Sequence, residues 1–341
     1  MDDTIAQPVG HAWKGMKTML KLIKKEFIFD DPIPVPECHS STILRLENGN
    51  LLAAWFGGVK EAHIDTLIWT SLCENGVWSV PRPVTPELYV QHWNPVLFQQ
   101  KDGTILLFYK LGYPISNWHT RIVSSKDGGK TWSVPREMVP GDISGGRGPV
   151  KNKLLRLSND RVLAPGSVEQ LPWRCFIDIS DDDGENWRKS PISVGAPHAN
   201  EIFLIQPTLW EHPAGHVHAL MRSNDGRIYR SDSSDFGETW SAALPTAVQN
   251  NNSGIDCVRM ESGTIVLAYN PIDVNWGVRY PLSIAVSHDN GENFEKIMDI
   301  ETEPCVSGWC YPAVIAYENE VHLTYTWDRK KIVHCVLKDL G

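Results

Sequence analysis

The chain has 341 residues, a formal net charge of −9, 42% hydrophobic residues and seven cysteines. The acidic balance comes without a compensating basic stripe, which argues against a nucleic-acid partner. No run approaches the ~18 apolar residues of a spanning helix, and an odd cysteine number without tight spacing is neither a disulfide framework nor a zinc site.

Residues 1–20 read as a leader and residues 21–341 as one domain, because no linker or composition break interrupts the later register. Within Lys14–Lys25, lysines mix with Met, Leu and Ile, a pattern that suits a basic amphipathic turn packed on the side of the domain. It is too short and too lysine-broken for a signal peptide. The expected location is therefore the cytoplasm, with reduced thiols and no membrane contact; Cys305 and Cys310 would pair only in an oxidising compartment.

The stretch Glu26-Phe-Ile-Phe29 predicts a strand. Next, Thr42-Ile-Leu-Arg-Leu46 and Leu51-Leu-Ala-Ala-Trp55 flank a turn at Asn48-Gly49, which is a hairpin signal. The same frame recurs at Val96–Tyr109 around Asp102-Gly103, and more loosely at 154–163 and 208–221. It returns at Asp256–Tyr269 around Ser262-Gly263, and at 313–325.

After each hairpin a third run leads into one short motif. Its copies are Ser125 to Trp132, Ser180 to Trp187, Ser233 to Trp240 and Ser287 to Phe294, all of the form Ser-x-Asp-x-Gly-x-(Thr/Asn)-(Trp/Phe). A worn copy runs from Ser71 to Trp78. The serines lie 55, 53 and 54 residues apart, and Ser71 stands 54 before the first. Evenly repeated supersecondary units of this length stack into a propeller. The motif itself reads as structural: Asp and Ser bond nearby N–H groups, Gly supplies a positive φ, and the aromatic plugs the turn against its own blade. These aspartates are assigned no catalytic role.

The next serine would fall at residue 341, the end of the chain, so the sixth blade lacks its outer strand. Glu26–Phe29 is the natural donor. The predicted fold is an all-β, six-bladed propeller closed by an N-terminal strand.

In a propeller the innermost strands line a central channel, so the hairpin register nominates site residues. Just before the aligned inner strands stand Ser40, Asn94, Lys151, Gln206, Gly254 and Tyr311. At the ends of the second strands stand Phe56, Lys110, Ser167, Arg222, Asn270 and Trp327. His39, Trp93, Asn152, Glu169, Arg279 and the loop bearing Glu61 and Asp65 fall close by. Arg222, Arg279, Lys110 and Lys151 together predict a carboxylate receptor. Trp118 and Trp276 are equally readable as loop packing or sugar stacking, and Asp65 as a brace for its loop. No phosphate loop or dinucleotide fingerprint occurs, and no cofactor is expected.

With these motifs and arginines in place, the chain resembles the sialidase (neuraminidase) superfamily, and within it the bacterial-type BNR-repeat branch, over about residues 36–338. The resemblance implies three carboxylate-binding arginines, an acid/base Asp, and a Tyr nucleophile activated by a Glu. Arg222, in Leu-Met-Arg-Ser, matches the second arginine, and Arg279 the third. Tyr311, in Trp-Cys-Tyr-Pro, matches the nucleophile, and Glu61 falls where the acid/base belongs. Two positions depart: Glu37-Cys-His39 stands where the first arginine belongs, and Gln206 where the activating Glu belongs. An amide cannot take a phenol proton, and a positioned base is worth about 10²–10⁴ in rate.

Two activities fit these residues. A sialidase-like exo-glycosidase on an acidic oligosaccharide would use Arg222 and Arg279 for the carboxylate and Glu61 as acid. Tyr311 would be nucleophile, with Glu169 or His39 as base. A polysaccharide lyase on uronate chains would use the same arginines with His39 or Tyr311 as base, needing no Glu at Gln206. A non-catalytic carbohydrate-binding propeller is the third reading.

Overall fold

The computed structural model describes residues 19–30, 35–144, 146–195 and 200–341. It is a ring of six antiparallel sheets, a six-bladed β-propeller. The blades begin at the inner strands Glu37–Arg45, His92–Gln99, Leu155–Arg156, Leu204–Glu211, Asp256–Arg259 and Trp309–Tyr317. In the sixth blade the order runs from Trp309–Tyr317 through Glu320–Trp327 and Lys331–Asp339 to the N-terminal strand Leu20–Phe27.

The closing strand is longer and earlier than Glu26–Phe29. Leu20 pairs with Asp339 and Phe27 with Val333, while Ile28 and Phe29 run on beneath Trp55. The expected amphipathic turn is corrected over Leu20–Lys25, which alternates buried and outward side chains as an edge strand does. The rest of that turn, and nearly all of the leader, lie outside the described residues.

Second strands such as Leu51–Gly58 and Ile105–Leu111 are buried along their whole length, because neighbouring blades cover both faces. The apolar clusters therefore lie between blades. One joins Leu52, Ala54 and Phe56 to Leu97, Leu107 and Tyr109. The next joins Phe98, Leu106 and Phe108 to Val162 and Ala164. Each blade buries its apolar surface only against its neighbours, so the ring stands as one unit.

The repeated motif builds the turn as its chemistry dictates. Asp127 Oδ1 accepts from the Thr131 N–H at 2.8 Å, and Ser125 Oγ accepts from the Gly129 N–H at 2.9 Å. Bonds to the charged form, first from the Thr131 hydroxyl at 2.6 Å and then from the Thr131 N–H, hold the Asp127 pKa at about 2. Asp182, Asp235 and Asp289 repeat the pattern. The aromatic plug is corrected: it seals against the preceding blade as well as its own. Trp187 meets Phe108 edge-on at 6.1 Å. A Cβ on Gly129, Gly237 or Gly291 would lie 2.9, 2.8 or 2.6 Å from Leu52, Leu163 or Trp210 of the blade before. The motif is thus an inter-blade joint, which explains its regular recurrence.

Ring closure carries a pH dependence. His334 Nδ1 lies 3.0 Å from Glu26 Oε1 on the closing strand, and its Nε2 lies 3.1 Å from His322 Nδ1. Burial draws the His322 pKa down to about 4, with His334 adding to the effect; burial lowers His334 too, although Glu26 opposes it. Between the ordinary histidine pKa of about 6.5 and 4, the unfolded chain binds protons that the folded one refuses. Stability should therefore be level across this pair above pH 6.5 and fall on acidification through that window. Urea midpoints at pH 7, 5.5 and 4.5 test this, and His322→Phe should flatten the decline. A midpoint unchanged from pH 7 to 4.5 would refute it.

No helix among the described residues is long and apolar enough to cross a membrane.

Candidate active site

The inner strands owe their site geometry to a repeated β-bulge. Pairing skips between His39 and Thr42, Trp93 and Val96, Ile205 and Thr208, and Cys310 and Ala313. Inside those skips Ser40, Asn94, Gln206 and Tyr311 have φ of 57, 38, 56 and 56°. Lys151 of the third blade matches them at 73°. Left-handed backbone at non-glycine residues costs on the order of 1–3 kcal/mol each and concentrates at functional sites. A bulge leaves one residue unpaired and re-aims its side chain, here toward the shared axis. The fifth blade has Gly254 instead, because a Cβ there would lie 2.7 Å from Lys151 Cε and 3.2 Å from Tyr311 Cδ2.

Tyr311 is the centre of the cluster. Arg222 donates from Nη1 to Tyr311 Oη and to Gln206 Oε1, both at 3.1 Å. Its Nε donates to Asn252 Oδ1 at 2.9 Å, and its Nη2 makes none of these bonds. The Arg222 and Arg279 guanidiniums lie 5.8 and 5.7 Å from the Tyr311 ring centroid. Arg279 donates to Cys310 Sγ at 3.4 Å, one of seven free thiols, so Cys305 and Cys310 are unpaired. Gly308, at φ 88°, makes room for Arg279, whose Cβ would be 2.3 Å from a Cβ there.

Gln206 turns its amide nitrogen to Glu169, donating to Oε1 at 2.9 Å, while Ser167 donates to the same oxygen at 3.1 Å. The Glu169 residue is partly exposed, yet its carboxyl group is enclosed. Burial raises its pKa, and Arg222 is the strongest opposing influence.

His39 packs its ring on Tyr311 at 4.1 Å between centroids. Its Nδ1 is 3.0 Å from Thr326 Oγ1, and its buried Nε2 has no partner. Burial, then the charges of Arg329, Arg279, Arg222 and Lys151, hold its pKa well below the ordinary value, so the imidazole is neutral. Thr326, not Trp327, is the second-strand residue opposite the sixth-blade bulge, since Cys310 pairs with Thr326. Trp327 instead packs on Trp309 and Phe27.

The two lysines do not join a carboxylate receptor. Each ammonium has three protons, and each set is already placed on neutral oxygens. Lys110 donates to Thr120 Oγ1 and the carbonyls of Arg147 and Gly148. Lys151 crosses the channel to Asn152 Oδ1, Ile255 O and Pro312 O. Burial draws both pKa values down to about 7. Asn270 is likewise a staple between blades, donating to Pro281 O and Trp309 O. Asn94 is buried at the second-blade bulge. Trp118 is buried on Trp93, whereas Trp276 is 59% exposed beside Arg222. Asp65 accepts from the Val59 N–H and contacts His63, bracing its loop.

Glu61 forms an ion pair of 2.6 Å with Arg329, a residue absent from the sequence-derived site. Arg329 lies in the turn just past Trp327, where the strand frame stops. Asn252 was passed over too, although the buried run Asn250-Asn251-Asn252-Ser253 before the fifth inner strand marks a polar channel wall.

A family model described as a BNR repeat-like domain matches residues 49–323. The chain belongs to the BNR repeat-like family. No curated protein sequence matches this BNR protein. Among solved structures it is similar to a Dyadobacter fermentans protein of unknown function, with TM-score 0.77, 17% identity, and 94% and 99% of the two chains covered. It is also similar to the NanB sialidase of Streptococcus pneumoniae, with TM-score 0.72, 12% identity, and 92% and 70% covered. For a Trypanosoma rangeli sialidase the values are 0.69, 15%, and 89% and 55%. At such identities these matches establish a sialidase-like fold.

Proposed function

We propose that this BNR protein is a sialidase-like glycoside hydrolase acting on a terminal carboxylate-bearing sugar of an acidic oligosaccharide. The observation that carries this is the gathering of the Arg222 and Arg279 guanidiniums at 5.8 and 5.7 Å from one tyrosine ring, with Arg222 bonded to its hydroxyl. The Nη2 of Arg222, unused in its bonds to the described residues, and the Arg279 fork take the substrate carboxylate, as planar guanidiniums suit carboxylates. That sets the anomeric carbon against Tyr311 Oη. Tyr311 forms the new C–O bond as the glycosidic C–O bond breaks, and Glu61, protonated and released from its Arg329 ion pair, supplies the proton for the leaving oxygen. Neutral His39, whose Nε2 is unpartnered, takes the phenol proton. Water then attacks the anomeric carbon as its bond to Tyr311 Oη breaks; Glu61 takes the water's proton and His39 returns its own to the departing phenolate. Gln206 orients Arg222 rather than moving a proton.

The closeness of His39 to Tyr311 also favours a second reading, a lyase on uronate glycans. There the arginines neutralise the carboxylate, one of the pair removes the α-proton, and the other protonates the departing oxygen. Incubation with a panel of acidic oligosaccharides, read by mass spectrometry and ultraviolet absorbance, separates the two. Hydrolysis adds water, whereas elimination leaves an absorbing unsaturated uronate. Unchanged oligosaccharides across the panel would refute both.

Gln206→Glu sharpens the test. The new carboxylate would stand where Nε2 now meets Glu169 at 2.9 Å, so the two acids would share a proton. With Glu169 holding that proton, residue 206 becomes a base beside Tyr311. Sialoside hydrolysis should then rise at least about tenfold, a modest part of what a positioned base is worth. The gain should fade as rising pH strips the shared proton. Initial rates on a sialoside across pH 5–8 check this; no gain at any pH would count against a sialidase-derived site.

A further inference from the structure

We propose that Trp276 and Trp173 form a second sugar subsite, which stacks the neutral pyranose attached to the acidic sugar; this rests on the reading above. Trp276 is a large aromatic left 59% exposed, and its φ of 57° is rare for a bulky side chain. Nothing in apolar burial explains that conformation. It is held by the Trp276 N–H on Asn251 O at 3.1 Å, and next door Asn275 Oδ1 accepts from Asn252, which itself holds Arg222. The backbone that carries the ring is therefore tied to the carboxylate-binding arginine, and the ring centroid lies 5.8 Å from its guanidinium carbon.

Trp173, from the third blade, meets Trp276 edge-on at 6.0 Å, and Phe203 backs Trp173 at 6.4 Å. Two blades thus raise an aromatic wall on the rim, continuous with the acidic-sugar pocket. Such a wall offers flat apolar surface, and the cation beside it, Arg222, is taken by the acidic sugar. That suits the C–H face of an uncharged sugar ring rather than a second acidic one. With the acidic sugar's carboxylate on Arg222, 5.8 Å from the Trp276 ring, the sugar attached to it falls against the wall.

The test compares two probes on the intact protein by calorimetry: the methyl glycoside of sialic acid and sialyllactose. A parallel pair uses methyl glucuronide and a glucuronosyl disaccharide. Trp276→Ala should weaken the longer probe about tenfold and the methyl glycoside less than about twofold, with thermal midpoints unchanged. Trp173→Ala should weaken the longer probe in the same selective way, and Trp276→Phe should restore part of the loss. Equal weakening of both probes would put Trp276 in the acidic-sugar pocket and overturn the proposal, as would no change in either. If neither pair binds the unmodified protein, the acidic-sugar reading itself fails, and the subsite with it.

Discussion

Arg222→Ala is expected to cut turnover of an acidic-sugar substrate by about a hundredfold. A hydrogen bond to a charged group contributes roughly 1.5–3 kcal/mol, which is one to two orders of magnitude in rate when made to the reacting substrate. The side chain is also 2% exposed and bonded to Gln206, Asn252 and Tyr311. Its loss leaves three acceptors without their donor and removes the cation that most eases Glu169's charge. Some fall in thermal midpoint should accompany the kinetic loss. Arg222→Lys should recover little, because an ammonium cannot span Gln206, Tyr311 and Asn252 at once. Steady-state rates beside circular dichroism measure both effects. A folded Arg222→Ala protein with full turnover would take the carboxylate pocket away from this end of the channel.

The largest stability effect is expected at the buried Asp256 of the fifth inner strand. Its carboxylate, 1% exposed, accepts from Lys153 Nζ at 2.9 Å, Thr208 Oγ1 at 2.6 Å and the Val314 N–H at 2.8 Å. One side chain of the fifth blade thereby ties the third, fourth and sixth. Asp256→Ala would strand the Lys153 ammonium and two further donors in a poorly hydrated place. Breaking a buried pair this way costs about 3–5 kcal/mol. For a chain of 341 residues that corresponds to a thermal midpoint lower by roughly 4–7 °C. Asp256→Asn should fall between, keeping acceptors but losing the charge. The double change Lys153→Met with Asp256→Leu should recover part of the loss, since it leaves no charge buried. A midpoint within about 2 °C of the parent for Asp256→Ala would show that the blades are held together without this hub.

The two effects separate support from chemistry along one axis. Beneath Tyr311, Lys151, Lys153 and Asp256 cross-link blades and fill the channel. Tyr311, Arg279, Arg329 and Glu61 are partly exposed and Trp276 is exposed, so these side chains are open to a ligand. By ring position alone, Lys110 and Lys151 read as substrate ligands. Position alone says that a residue faces the axis; only its bonds say whether its protons are still free for a ligand.

The repeat alone determined the number of blades, the missing outer strand and the existence of a polar axial ring. A period of some 54 residues leaves one way for incomplete sheets to cover each other. The same register placed Arg222, Gln206 and Tyr311 together because equivalent positions in a ring share an axis. The tertiary structure decided what no local pattern encodes. Left-handed bulges swing Ser40, Asn94, Lys151, Gln206 and Tyr311 inward. Lys110 and Lys151 are spent on carbonyls from other blades. The motif aromatics lock onto the blade before, and Arg329 reaches Glu61 across the ring closure. Each of these is a contact between residues far apart in the chain, whose energy depends on burial and partner geometry rather than on spacing.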